Sequence, residues 1–277
     1  MNKEPREAHH PENRSIDKSY YNHAFLDSPD ARAIRILSEY YHPLQVFRNR
    51  QIHDTLVFFG SARAKSPREY RRYLRELQGK ELTEGQQKIA ENMKKLTEYY
   101  KEACRLSYRL TKWSKELPKG SRQFLITSGG GPGIMEAANR GAFLAKGKSI
   151  GLNIALPFEQ SPNPYITHSL SFDFNYFFMR KYWFTYLAKA LIIFPGGFGT
   201  IDEIFELLTL KQTHRLEKPM PIVIYGTAYW KSLMNFDTLV EWSMIDPSDL
   251  DYIYFSDDVD DAFQYLTKQL GDLYLRK

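Results

Sequence analysis

Hydrophobic and polar positions alternate along the chain in two distinct periods. Short apolar runs bounded by turn residues predict buried strands, and apolar residues recurring every three or four positions predict amphipathic helices. The two periods follow one another repeatedly, which predicts a Rossmann-like three-layer α/β/α fold with a mostly parallel sheet. The predicted strands occupy 55–59, 124–127, 149–154, 169–174, 190–194 and 221–225, with a short one near 252–255.

The same pattern predicts helices beyond those that connect the strands. An N-terminal helix over 29–41 begins after Ser28 and is limited by Pro43. Two more helices are predicted over 67–78 and 84–114, and the second carries a long apolar stripe. We therefore expect extra helices at the N-terminus and in an insert. The predicted domains are 1–50, an arm and helix, and 51–277, a nucleotide-binding domain with a helical insert at about 66–118.

Composition and charge narrow the class of protein. The chain is 43% hydrophobic and has a net charge of +5, yet it contains no apolar run of the roughly 18 residues that a membrane helix needs. Residues 1–27 are polar and predict a loosely held arm without a signal peptide. The single cysteine, Cys104, excludes an internal disulfide and suits a cytoplasmic protein. A basic excess between 63 and 122 has no nucleic-acid motif beside it, so we interpret it as a solvated helix face.

Two glycine-rich turns each stand between a predicted strand and a predicted helix. A helix N-terminus presents free backbone N–H groups and a positive dipole end, so each turn favours an anion, most often phosphate. One such turn is equally well explained as a plain connection, but two can face each other outside the carboxyl ends of parallel strands. Neither turn is a Walker A sequence or a clear dinucleotide motif. The turns span 128–133 and 195–200.

The motifs around these turns resemble those of the Lonely Guy (LOG) family, long labelled "lysine decarboxylase-like". Residues 195–203 read Pro-Gly-Gly-Phe-Gly-Thr-Ile-Asp-Glu and resemble its Pro-Gly-Gly-x-Gly-Thr-x-x-Glu motif. An Arg-Lys pair at 180–181, the glycines of 129–133 and the segment 59–63 resemble three further motifs in the family's order. The likeness covers roughly 52–226. It implies a Rossmann-like fold and hydrolysis of a nucleoside 5′-monophosphate to a free base and ribose 5-phosphate.

The resemblance also implies roles for individual residues. Arg180 and Glu203 would form the catalytic pair, because a carboxylate can activate water and stabilise a cation-like ribosyl centre. We expect Glu203 in the first turn of the helix that Thr200 opens, and Asp202 beside it in an orienting role. Lys181 would hold the phosphate or pair with a carboxylate. The predicted substrate-binding residues are Gly60, Ser61, Arg63, Gly130, Gly131, Gly133, Phe177, Lys181, Gly196, Gly197, Gly199, Thr200 and Asp202.

One departure from the family pattern concerns the residues that would bind the nucleobase. Many members have Met-His-x-Arg-Lys where this chain has Phe-Phe-Met-Arg-Lys at 177–181. Phe177 could stack on a purine, which favours AMP-like nucleotides over cytokinin nucleotides. No histidine or cysteine spacing indicates a metal, and nothing identifies a pyridoxal-phosphate lysine, so we expect no metal and no cofactor. Expected partners are the nucleotide and a second copy in a homodimer or higher homo-oligomer, without a membrane or nucleic acid.

A second hypothesis belongs to a different class of protein. The same fold can serve a non-catalytic carrier of a nucleotide or cofactor, because fold does not fix function. The presence of both Arg180 and Glu203 favours the enzyme. Incubation with AMP and detection of free adenine would separate the two hypotheses.

Overall fold

A computed structural model of the chain describes residues 18–118, 120, 122–156 and 161–275. These residues form two units, one ending at His42 and one beginning at Pro43. The first part of the predicted arm, 1–17, lies outside the described residues.

The unit that ends at His42 is built from short helical turns. A turn over Ser19–Tyr21, helix α1 over His23–Leu26 and a turn over Pro29–Ala31 lead into helix α2, Arg32–Asn49. The Asn22 side chain accepts a hydrogen bond from the N–H of Phe25 and so caps α1.

Helix α2 does not end near Pro43, so that prediction is wrong. Pro43 lies inside the helix, which continues to Asn49. A proline here removes one backbone hydrogen bond. The last turns of α2 bury Leu44 and Phe47, and the Phe47 ring packs edge-on against Trp183 with centroids 5.3 Å apart. This apolar burial offsets the lost hydrogen bond and carries the helix past the proline.

Among the described residues, seven parallel strands form one sheet in the order β4-β3-β2-β1-β5-β6-β7. The sheet confirms the predicted α/β fold with a parallel sheet. All six neighbouring pairs are parallel, and β1 lies between β2 and β5. The strands are β1 Asp54–Phe59, β2 Phe124–Ser128, β3 Ser149–Ile154, β4 Ser171–Phe174, β5 Ala188–Ile193, β6 Ile222–Tyr225 and β7 Ile253–Ser256.

Helices cover both faces of the sheet. Alternate residues of β1 point to opposite faces: Leu56 and Phe58 join a core with α4, α5 and α10, while Phe59 packs on Phe184 of α6. The helices of this unit after α2 are α3 Pro67–Leu77, α4 Glu84–Glu116, α5 Ile134–Leu144, α6 Phe177–Leu187, α7 Phe198–Gln212, α8 Thr227–Leu233, α9 Phe236–Glu241 and α10 Val259–Leu270.

Helix α4 occupies much of 66–118, the segment predicted as a helical insert, and its two halves differ in burial. Its second half buries Tyr100, Ala103, Leu106 and Leu110 in the core, whereas Ile89 in its first half is 55% exposed. The second half of α4 is therefore the helix that crosses from β1 to β2. The amphipathic stripe predicted that one face of the helix is buried, but periodicity does not indicate that this face packs against the sheet.

The order of the strands fixes where a ligand can bind. The chain adds β2, β3 and β4 on one side of β1, then returns to place β5, β6 and β7 on the other. In an open parallel sheet, the crevice at such a reversal lies outside the carboxyl ends of the two strands. Here those ends are Phe59 of β1 and Ile193 of β5, which pair directly. The segments that follow them are the predicted motifs 60–63 and 195–200.

Candidate functional site

A cavity of about 330 Å³ opens at the carboxyl ends of β1 and β5. This volume is at the lower end of the range for small-molecule sites. Residues 59–63 and 197–200 line two sides of it, and Arg180 and Glu203 supply its charged side chains together with Arg63. The rest of the wall is mainly apolar, made by Met135, Ile154, Leu156, Phe177 and Phe184, with Gly129 among them.

The loop after β5 brings a helix N-terminus to the cavity. Helix α7 begins at Phe198, two residues before the predicted start at Thr200, and Gly197 is its N-cap without a side-chain cap. Glu203 therefore lies in the second turn of α7, and the prediction of a first-turn position is wrong. The low helix propensity of Gly199 hid the true start in the sequence.

Only one glycine of this loop is required by close packing. A Cβ on Gly196 would lie 2.1 Å from Oγ1 of Thr200, whereas a Cβ on Gly197 or Gly199 would meet nothing within 4 Å. The backbone of Gly197 and Gly199 is thus open on the side where a Cβ would stand. Both residues line the cavity, so a ligand can approach their backbone closely.

The second glycine turn lies beside the cavity and contributes less lining than predicted. Gly130 and Gly133 adopt φ of 74° and 71°, the left-handed region that favours glycine. Gly130, Gly131 and Gly133 do not line the cavity; Gly129 does. The N–H of Ile134, at the start of α5, donates to the carbonyl of Ser61 at 3.1 Å. The turn therefore supports the wall formed by 60–63.

Arg180 of α6 and Glu203 of α7 face each other within the cavity. Nη2 of Arg180 lies 3.5 Å from Oε1 of Glu203, and Glu203 is only 5% exposed. Burial raises the pKa of Glu203 to about 7, against the opposing effect of Arg180. Burial also lowers the pKa of Arg180, although the charge of Glu203 favours its ionised form. The carboxyl group can therefore gain and lose a proton near neutral pH.

Lys181 and Asp202 form a second pair outside the cavity. Nζ of Lys181 lies 2.7 Å from Oδ2 of Asp202 and 2.9 Å from Oε2 of Glu206. Neither Lys181 nor Asp202 lines the cavity. Of the two options that the sequence left open for Lys181, the structure shows the pairing with a carboxylate. This pairing links α6 to α7 next to the Arg180–Glu203 pair.

The remaining predicted residues have different relations to the cavity. Gly60, Ser61, Arg63 and Thr200 line it, and Oγ of Ser61 accepts a hydrogen bond from the N–H of Arg63 at 3.1 Å. Phe177 also lines it, with its ring centroid 5.2 Å from the guanidinium carbon of Arg180. Gly196 does not line it and instead packs against Thr200.

Several contributors were missed by the sequence reasoning. Phe198 is 92% exposed and lines the cavity from the first position of α7. The available signal in the sequence was a phenylalanine at the variable position of the Pro-Gly-Gly-x-Gly motif. The side-chain amide of buried Asn163 donates to the carbonyls of Gly130 and Gly131, at 2.9 and 3.1 Å. No local sequence pattern connects Asn163 to a turn more than thirty residues earlier.

Within 18–118, 120, 122–156 and 161–275, no group of three or more His, Cys, Asp or Glu side chains could hold a metal ion. None of the helices in these ranges has both the length and the apolar character needed to cross a bilayer.

Part of the chain is similar to a known protein family. Residues 135–266 match the family model described as "Possible lysine decarboxylase", which confirms the resemblance to the Lonely Guy family. The match includes Arg180 and Glu203 and begins after the glycine turn of 129–133. The chain is also 30% identical over 117 residues to a pyrimidine/purine nucleotide 5′-monophosphate nucleosidase of Escherichia coli K12. That alignment covers 39% of this chain and 25% of the relative, so the chain spans about a quarter of the length of the curated relatives it matches.

Solved structures with a similar arrangement include two proteins named for the molybdenum cofactor. The Moco carrier protein from Chlamydomonas reinhardtii is 15% identical, with a TM-score of 0.47, over 79% of this chain and 99% of that one. The molybdenum cofactor binding protein from Rippkaea orientalis is 15% identical, with a TM-score of 0.42, over 78% and 96%.

Proposed function

We propose that this chain, which carries a Lonely Guy-type domain, is a phosphoribohydrolase for nucleoside 5′-monophosphates. It would hydrolyse the N-glycosidic bond to release a free base and ribose 5-phosphate. The observation that carries the proposal is the buried Arg180–Glu203 pair, which faces a cavity beside the uncapped start of α7. The nucleotide nucleosidase among the relatives supports the same class of reaction.

The 5′-phosphate would bind at the start of α7. Gly197, Phe198 and Gly199 present the helix N-terminus to the cavity, and this end of a helix attracts anions. Glu203 lies five residues after Phe198, which corresponds to roughly 7.5 Å along the helix axis at 1.5 Å per residue. This separation suits a ribose placed between its phosphate and the carboxylate.

Glu203 would act as the general base on the attacking water. Oxygen of the water bonds to the anomeric carbon, and the water proton passes to the carboxylate. The bond to the base breaks with its electron pair on the base nitrogen, which takes up a proton from solvent, and Glu203 then returns its own proton to solvent. Arg180, 3.5 Å from Glu203, would orient the carboxylate and contact the ribose. The roles follow the usual division between a proton acceptor and an electrostatic partner.

The base would rest against the apolar part of the cavity. Phe177 is half exposed and lines this wall, so its ring is free to stack on a purine. We propose AMP-like nucleotides as the main substrates, with cytokinin nucleotides as a second group whose larger substituents must fit the same wall.

The direct test is a panel of nucleoside 5′-monophosphates, each paired with its nucleoside. Release of free base from AMP, and much slower release from adenosine, is the expected result, because only AMP carries the anion that α7 attracts. Adenosine cleaved as efficiently as AMP would contradict the proposed phosphate site. Tight binding of AMP without release of adenine would favour the carrier hypothesis.

We also propose that the chain works as a cytoplasmic homodimer. The outward side of α6 leaves Phe178 and Tyr186 about half exposed, and exposed aromatic residues are common in interfaces between subunits. Light scattering on the purified protein would measure the mass. A mass of one chain at micromolar concentration would contradict the dimer.

A further inference from the structure

Tyr229 reaches the loop of the proposed phosphate site from a separate part of the fold. It lies on α8, which begins directly after β6 and Gly226. Its hydroxyl group donates a hydrogen bond of 2.6 Å to the carbonyl oxygen of Gly196. Neighbouring contacts hold α8 in place, since buried Trp230 donates from Nε1 to the carbonyl of Tyr225 at 3.1 Å.

This hydrogen bond fixes the direction of one peptide group. In a trans peptide the carbonyl and the following N–H point to opposite sides. Because Tyr229 holds the carbonyl of Gly196, the N–H of Gly197 points away from Tyr229. Gly197 lines the cavity, and within the described part of the chain its N–H has no hydrogen-bond acceptor.

The preceding peptide is held in the same manner. The carbonyl of Pro195 accepts a hydrogen bond from the N–H of Ser61 at 2.9 Å, so the N–H of Gly196 also points away from its anchor. Two consecutive carbonyls of the loop are thus bound, one by β1's turn and one by Tyr229. Successive N–H groups with fixed directions are the arrangement by which a backbone binds an anion.

We infer that Tyr229 is a positioning residue for phosphate recognition: its hydroxyl group holds the Gly196 peptide so that the N–H of Gly197 is available to the 5′-phosphate. The inference rests on the proposed function for the location of the phosphate. Tyr229 acts through the loop and does not touch the ligand. Burial raises the pKa of Tyr229, so it remains a donor throughout the neutral range.

The matched experiment compares Tyr229→Phe with Tyr254→Phe. Both changes remove a phenol hydroxyl that donates a hydrogen bond, and Tyr254 donates to Asp261 away from the cavity. Calorimetry would measure the affinities for ribose 5-phosphate and adenosine, and the affinity for AMP in proteins that also carry Glu203→Gln, so that AMP is not turned over during the titration. We expect Tyr229→Phe to lower the affinities for AMP and ribose 5-phosphate by about fivefold to tenfold, which corresponds to the loss of one hydrogen bond. Its affinity for adenosine and its Tm should stay near those of Tyr254→Phe.

The selectivity for phosphate separates positioning from a structural role. Equal weakening of AMP and adenosine by Tyr229→Phe, or no change in either, would overturn the inference. If the variant is unstable, NMR of the wild-type protein provides a second test: the Gly197 amide should shift on titration with ribose 5-phosphate. An unshifted Gly197 amide at saturation would also overturn it.

The role of Tyr229 is tested by ligand affinities, whereas the proposed hydrolysis is tested by release of adenine, so the two proposals can fail separately. A wild-type protein that binds AMP and ribose 5-phosphate but releases no adenine would contradict the proposed hydrolysis, and the comparison of variants would still decide the role of Tyr229. A wild-type protein that binds no phosphorylated ligand would overturn both.

Discussion

Arg180 and Glu203 meet across α6 and α7 with 3.5 Å between Nη2 and Oε1, and the residues next to them form a second pair. Lys181 and Asp202 lie 2.7 Å apart on the outside of the cavity. Two adjacent cations on one helix thus bind two adjacent carboxylates on another. The two pairs differ in surroundings, because only Arg180 and Glu203 line the cavity. This difference gives matched variants for the first prediction.

Replacing Glu203 with Gln should abolish most of the turnover. The change keeps the size of the side chain but removes the carboxylate that would accept the proton. Proton transfer by a positioned group is typically worth about 10²–10⁴-fold, so we expect kcat for AMP to fall at least ~100-fold with AMP still bound. Release of adenine and calorimetric binding would be measured on the same preparation.

Asp202→Asn is the control for this variant. It removes the neighbouring carboxylate, which is more than half exposed and pairs with Lys181. Lys181 retains Glu206 at 2.9 Å, so the link between the helices should persist. We expect kcat within about threefold of wild type, as for a surface pair of small energetic value. Near-normal turnover by Glu203→Gln, or an equal loss in both variants, would remove Glu203 from the proposed mechanism.

The activity should depend on pH through Glu203. Burial raises its pKa to about 7, so the carboxyl group is mostly protonated below pH 7 and mostly ionised above it. A general base must be ionised, so kcat/KM for AMP should fall as the pH drops through about 7. The phosphate of AMP titrates near pH 6, and Glu203→Gln retains that titration, so its residual activity is the control. An acid limb near pH 4.5 would contradict the role.

Gly196 and Gly197 should respond differently to alanine. A Cβ at Gly196 would lie 2.1 Å from Oγ1 and 2.6 Å from Cβ of Thr200, whereas Gly197 has open space there. We expect Gly196→Ala to lower the free energy of unfolding by about 1–3 kcal/mol, as overpacking does. Gly197→Ala should keep the stability of the wild type but weaken the binding of AMP. Urea unfolding would measure the stability of both variants, and equal stability of the two would contradict this packing.

Phe177 and Phe178 offer a test of the base site. Both rings are half exposed on α6, but only Phe177 lines the cavity. Stacking of a base on an aromatic ring is worth about 1–3 kcal/mol, so Phe177→Ala should raise KM for AMP by roughly five- to 150-fold. Phe178→Ala should leave it unchanged. A panel of nucleoside monophosphates would show whether KM rises more for purine than for pyrimidine nucleotides. An unchanged KM for AMP in Phe177→Ala would exclude stacking on this ring.

Leu106 and Ile89 test the two halves of α4. Leu106 is fully buried in the core, whereas Ile89 is largely exposed. Leu106→Ala should lower the free energy of unfolding by about 2–5 kcal/mol. Ile89→Ala should change it by no more than about 0.5 kcal/mol, as surface substitutions usually do. Similar losses in the two variants, measured by urea unfolding, would contradict the division of α4 into a core half and an exposed half.

The fold was largely predictable because strands and helices differ in period. The runs at 55–59 and 124–127 lie within or along β1 and β2, and the glycine turns follow β2 and β5 as predicted. Ends of elements were less predictable, because packing decides them. Burial of Phe47 offsets the hydrogen bond lost at Pro43, so α2 continues to Asn49.

The candidate site was predictable where its residues lie in the family's motifs. The resemblance to the Lonely Guy family implied that Arg180 and Glu203, which lie in two separate motifs, act together, and the structure places them 3.5 Å apart. It could not indicate that Lys181 would turn to Asp202 outside the cavity, because that depends on how α6 rotates against α7. Asn163 and Tyr229 bind carbonyls about thirty residues away in sequence, so only the folded sheet brings them to their loops.

The segment α6–β5–α7 gives the two parts of the site different folding requirements. Arg180 and Glu203 belong to one continuous stretch, 177–212, so their contact closes a short loop at a small entropic cost. The cavity wall at 59–63 comes from β1, far earlier in the chain, and reaches them only when β1 pairs with β5. Contacts of such high sequence separation form late and slowly. The Arg180–Glu203 pair is therefore local in sequence, whereas the cavity around it is built from distant segments. Binding of a phosphorylated ligand shows that the central strands have paired, and formation of the ion pair alone does not.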